Sequence, residues 1–245
     1  MLFKTQCRMP SETYQSPVDA NFHPTNILNY DHLGVQSVVA KCGVVSGSKR
    51  EFLQAAHRYL MKHLKPVYRL NEFQSASDTL NLQRGSCSQR MACLEAFART
   101  LKIGTRVHGL WVDGAFWKPR FPFTHPFIPR RILLAWPQFY LTDQWTDFDE
   151  IHATAESFIE QGTKAFTNRD TTLFDAVAES TVDLFGKSKT CRQCTGHDLS
   201  GFVLEHAGIY NTRDELFAQF GSFHSTWRGR IFEMIYGGRK SSFAR

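Results

Sequence analysis

A chain of 245 residues with 42% hydrophobic and 13% aromatic residues has an ordinary globular composition, long enough for one full core and an accessory element. Its net charge of +6 is spread along the sequence and not gathered in Lys/Arg blocks, which suits acidic small molecules or an acidic carrier protein; no motif points to nucleic acid. With no run of about 18 apolar residues and no charged-then-apolar leader, neither a membrane span nor a secretory signal is expected, and the chain reads as cytoplasmic.

Residues 1–47, broken by Pro10, Pro17 and Pro24, predict an extended arm with short strands that packs on the core. Ser48-x-x-Glu51 is a capping box opening an amphipathic helix through about residue 64 that carries Phe52, Ala56, Tyr59 and Leu60 on one face. A short segment at 75–80 and the turn Arg84-Gly85-Ser86 lead to a second helix, which starts at Cys87 and has Met91, Leu94, Ala98 and Leu101 on its apolar face. Strands follow at 105–112, 132–141 and 145–148, the last two joined by a turn at Thr142-Asp143-Gln144. Beyond Asp149 the pattern is helical, at 150–161, 170–185, 199–207, 212–220 and 223–236, ending at Gly237-Gly238. There is no internal repeat.

Chemistry concentrates at Cys87. Backbone N–H groups at a helix start carry partial positive charge, which favours thiolate over thiol and can hold an oxyanion. Gly85, Cys87, Arg99, Ile103, Arg106 and Gly109, in this spacing, resemble the transglutaminase-like superfamily, a papain-related group with a Cys at a helix start and a His and an Asp on two adjacent strands. Lys102 and Gly104 depart from the Gly and Pro that the family usually has there. The resemblance spans roughly 48–150. It implies an α+β fold, with a catalytic core over 48–149 and a helical C-terminal extension over 150–245 that either covers the site or builds a homodimer surface.

Downstream, the family's His-Ala-Trp corresponds to Leu134-Ala135-Trp136, and its following Trp and Asp to Trp145 and Asp149. The resemblance therefore implies a triad of Cys87, Leu134 and Asp149. Leucine cannot accept a proton, so the usual activation of water by imidazole is lost and hydrolysis suffers most. Asp149 beside a leucine is expected to be desolvated, with a raised pKa suited to acid/base work. This favours amide-forming acyl transfer or a condensation on a small or carrier-linked acyl substrate in a biosynthetic pathway. The alternatives are a carbon–carbon lyase using the same thiol and a non-catalytic pseudoenzyme that binds a partner in the cleft.

Residues 114–131 hold four of the nine prolines, five aromatics, four basic residues and no acid, which excludes a central strand and predicts a loop over the site. In it, Trp117 and the phenylalanines are candidates for an apolar substrate pocket, and Lys118, Arg120, Arg130 or Arg131 for meeting an anionic substrate group; Trp136 on the following strand is a further substrate-binding candidate. His125 is a candidate substitute base, while His108 reads as structural. Six cysteines in a chain of this size do not make a disulfide scaffold. Cys191-x-x-Cys194 with His197 offers three ligands where structural zinc usually takes four, so no metal and no cofactor is expected.

Overall fold

The computed structural model describes residues 23–42, 47–121, 128–152, 166–169, 171–179, 182–187 and 198–239. In chain order the elements are α1 (Leu33–Lys41), α2 (Lys49–His63), β1 (Lys65–Pro66), α3 (Ala76–Leu82), β2 (Arg84–Gly85), α4 (Cys87–Thr100), β3 (Thr105–Asp113), β4 (Arg131–Leu141), β5 (Gln144–Asp147), α5 (Leu173–Glu179), β6 (Val203–Tyr210), α6 (Arg213–Phe220) and α7 (Trp227–Tyr236). The fold is α+β. Four strands form an antiparallel sheet in the order β5-β4-β3-β6, and β1 and β2 make a short parallel pair just before α4.

Local chemistry explains most element boundaries. Ser48 opens α2 with both halves of its capping box, and Ser86 does the same for α4 with Gln89 in the reciprocal position. The β4–β5 hairpin turns on Thr142 and Asp143, both at positive φ, the conformation that matches the twist of two antiparallel strands. Lys102 also has positive φ, so lysine takes the left-handed turn after α4 that glycine would hold more cheaply.

The main constraint is the burial of α4. Every residue from 89 to 99 is buried, including Gln89, Arg90, Glu95 and Arg99. A charge placed inside a core must be paired, and each here meets a different element. Arg90 Nη2 reaches Asp175 of α5 at 2.5 Å, Glu95 accepts from Arg213 of α6 at 2.5 Å, and Arg99 binds Thr105 Oγ1 at 2.7 Å and the Asn211 carbonyl at 2.6 Å.

Several expectations need correction. Part of the predicted extended arm is helical: His32 accepts from Gly34 N–H to cap α1, and Val35 and Val39, one turn apart, are buried on its inner face. The predicted helix at 199–207 is a 3-10 turn followed by strand β6, because the open edge of β3 supplies ladder partners from Val107 to Val112 that outweigh local propensity. The C-terminal extension is therefore helical only in part, and it completes the sheet. Helix 170–185 contracts to Leu173–Glu179, and most of helix 150–161 lies outside the described residues. No helix among the described residues is long and apolar enough to cross a membrane.

The Glu95–Arg213 pair generates a stability test. Removing one partner of a fully buried pair strands the other charge, so Arg213→Met is expected to lower unfolding free energy by about 3–5 kcal/mol in urea titrations. Adding Glu95→Gln to Arg213→Met should recover part of that loss, since no charge is then left unpaired.

Candidate active site

Gly85 is required at the approach to α4, because a Cβ there would sit 2.8 Å from Thr79 Cγ2. The close packing of that turn fixes Cys87 as the first residue of the helix, after the Ser86 cap. Ser86 Oγ accepts from Gln89 N–H and the Ser86 carbonyl from Arg90 N–H, while the N–H groups of Cys87 and Ser88 have no partner among the described residues. Two backbone donors at the first turn of α4 are thus uncommitted.

Cys87 borders a cavity of about 180 Å³. Leu134 lines it, as do Phe116, Phe121, Phe217 and Phe232, so the walls are largely apolar. Burial in this setting pushes the Cys87 thiol up to about 12, although the nearby Arg90 and a backbone hydrogen bond from Phe174 pull the other way. The expected thiolate is therefore not the resting state: desolvation outweighs the stabilisation offered by the helix start. Cys93, buried in the core, is pushed to about 12 as well.

The sequence-derived candidates separate in space. Leu134 and Trp136 alternate with Ala135 along β4 and so share one face of the strand. Leu134 reaches the cavity, but Trp136 is fully buried and is not a lining residue; its indole Nε1 donates to Asp149 Oδ1 at 3.2 Å. Asp149 does not line the cavity either. Burial, with Asp147 and Glu150 adding to it, raises its carboxyl to about 8. The raised pKa was legible in the sequence, but the carboxylate faces Trp136.

The two ends of the 114–131 segment meet where Gly114 N–H donates to the Arg130 carbonyl, and a Cβ on Gly114 would meet the Pro129 carbonyl oxygen at 2.1 Å. Trp117, Arg120, Ile128 and Pro129 line the cavity. Arg120 is buried and donates to Asn168 Oδ1 and the Thr171 carbonyl. Lys118 and Arg130 are exposed and do not line it, because the loop turns them to solvent. His125 lies outside the described residues, as do Cys191, Cys194 and His197.

No histidine among the described residues lines the cavity. His57 is fully buried; its Nε2–H donates to the Phe174 carbonyl at 2.8 Å, and its Nδ1 pairs with His152 Nε2 at 2.7 Å. Both rings are held below the ordinary histidine range, chiefly by burial. His108 stacks on Phe185 and pairs with His206 at 3.2 Å on the sheet, in keeping with a structural role.

Two charged lining residues, Arg69 and Glu72, come from the loop between β1 and α3 and were missed in the sequence. Neither belongs to a motif, and only the fold brings that loop to α4. Glu72 accepts from Ser88 Oγ, which in turn accepts from Arg213 Nη1 at 2.9 Å. Burial raises the Glu72 carboxyl.

Two outcomes follow. Alkylation of Cys87 by iodoacetamide, followed by peptide mass spectrometry, should keep accelerating above about pH 9, where an activated thiolate would already have reached its plateau. Asp149 binds its proton more tightly in the folded than in the unfolded chain, so its contribution to stability is present at low pH and is lost as pH rises from 3.8 to about 8. Asp149→Asn should therefore flatten that part of the stability curve, measured by urea unfolding across this range.

The family model described as the transglutaminase-like superfamily matches residues 37–150, the segment from α1 to the turn that carries Asp149. No curated protein matches the chain. A crystal structure of a candidate cysteine protease from Cytophaga hutchinsonii is similar at 17% identity with a TM-score of 0.42, over 57% of this chain and 44% of that one. The chain thus spans under half the length of that structure. Over residues 37–150, just under half of its length, the chain is similar to the transglutaminase-like superfamily.

Proposed function

We propose that the protein is a cysteine-dependent acyltransferase that forms amides, taking its acyl group from a small or carrier-linked thioester. The observation that carries this reading is the pairing of Cys87 with Leu134 in one apolar cavity. A family position that normally carries the base here carries a wall. Cys87 attacks the thioester carbonyl carbon; the carbon–sulfur bond to the donor breaks, and the departing thiol takes the proton that Cys87 gives up. The N–H groups of Cys87 and Ser88 are placed to receive the oxyanion. An amine then attacks the Cys87 thioester, forming the carbon–nitrogen bond and returning the sulfur as thiol. Leu134 and the phenylalanines keep water from competing.

Incubation with short acyl thioesters should add one acyl mass to Cys87, and Cys87→Ala should abolish the adduct. An unmodified Cys87 across such a panel would overturn the reading. Leu134→His inserts a titratable ring into the apolar wall and is expected to lower amide formation about tenfold or more while raising thioester hydrolysis. Undiminished amide formation in that variant would show that the apolar wall is not needed.

A further inference from the structure

The cavity contains an opposed pair of charges that the acyl half of the reaction does not use. Arg69 and Glu72 both line it, three residues apart on one loop, and make no ion pair with each other. Arg69 Nε is buried without a hydrogen-bond partner. Glu72 spends one carboxyl oxygen on Ser88 Oγ, and its other oxygen has no partner among the described residues. Arg120, the other guanidinium at the cavity, already donates to Asn168 and Thr171.

The loop that carries the pair is fixed from two sides. Leu70 N–H donates to Glu233 Oε2 of α7 at 2.7 Å, and Gln89 Nε2 of α4 donates to the Asn71 carbonyl at 2.8 Å. Tyr68 exchanges backbone hydrogen bonds with Gly238 and Arg239, at 2.9 and 3.0 Å. These ties hold Arg69 and Glu72 apart before any ligand arrives. The remaining walls, Phe116, Phe121, Phe217 and Phe223 among them, offer an apolar surface.

We infer that the acyl acceptor is a zwitterionic α-amino acid with an apolar side chain, its carboxylate held by Arg69 and its ammonium group by Glu72. A simple acid would leave Glu72 unmet, and a simple amine would leave Arg69 unmet; the zwitterion satisfies both. Guanidinium and carboxylate pair in a forked geometry that suits Arg69 to this task. Glu72 takes one proton from the ammonium group, and the neutral amine attacks the thioester carbonyl on Cys87. The carbon–nitrogen bond forms, the carbon–sulfur bond breaks, and the second proton goes to the Cys87 sulfur. Glu72 thereby supplies the base that Leu134 cannot, acting on the acceptor and not on the thiol. The identity of the acceptor rests on the acyl-transfer reading, but its binding can be measured without turnover.

Calorimetric titration of the full chain with L-phenylalanine, 3-phenylpropanoate and 2-phenylethylamine tests the assignment. L-Phenylalanine should bind the unaltered protein and lose about tenfold or more in affinity in both Arg69→Met and Glu72→Gln, the scale of a charge-assisted hydrogen bond. 3-Phenylpropanoate should be weakened only by Arg69→Met and 2-phenylethylamine only by Glu72→Gln, while Arg69→Lys should restore part of the L-phenylalanine affinity. Circular dichroism of each variant separates lost contacts from lost folding. No binding of L-phenylalanine, or equal affinity in properly folded variants, would overturn the inference. If Cys87 acylates but the variants bind alike, the acceptor site fails and acyl transfer stands; if the binding pattern holds but Cys87 never acylates, acyl transfer fails and the amino-acid site stands.

Discussion

A helix sealed from solvent along its length cannot leave a charge unmatched, and α4 carries three. Arg90, Glu95 and Arg99 each need a partner, and those partners lie on α5, on α6, on β3 and at Asn211 just after β6. The polar groups of one helix thereby dictate where much of the rest of the chain packs. Since α4 begins at Cys87, the same ties set the position of that thiol. The candidate site lies at the start of a helix whose residues 89–99 are all buried.

This explains why the segment after residue 150 is more than a cover. It supplies β6 to the sheet, Arg213 to the buried pair, and Phe217, Phe223 and Phe232 to the cavity wall. Gly109 on β3 shows how close the fit is, since a Cβ there would lie 2.7 Å from Leu216 Cδ1 of α6. The glycine admits α6 against the sheet, and α6 in turn brings Arg213 to Glu95.

What was legible in the sequence is what short-range chemistry decides. Ser48-x-x-Glu51, the start of α4 at Cys87 and the Thr142-Asp143 turn all depend on neighbours a few residues away. Residues 203–207 read as helical in sequence because their strand character comes from pairing with β3, about a hundred positions earlier in the chain. Arg69 and Glu72 were invisible for a related reason: isolated charges on a loop acquire meaning only when the fold turns them into an apolar cavity. Trp136 was identified by its place in the family pattern, but alternation along β4 does not say whether a side chain ends in the core or at the cavity, and here it ends in the core.

The desolvation that holds the Cys87 thiol at about 12 also bears on its survival. Peroxides attack thiolate, and a thiol pushed up this far is ionised much less at neutral pH than an ordinary cysteine. Cys87 should therefore climb the ladder from sulfenic to sulfonic acid slowly while the cavity is empty. The apolar walls that raise this thiol thus also guard it against oxidation.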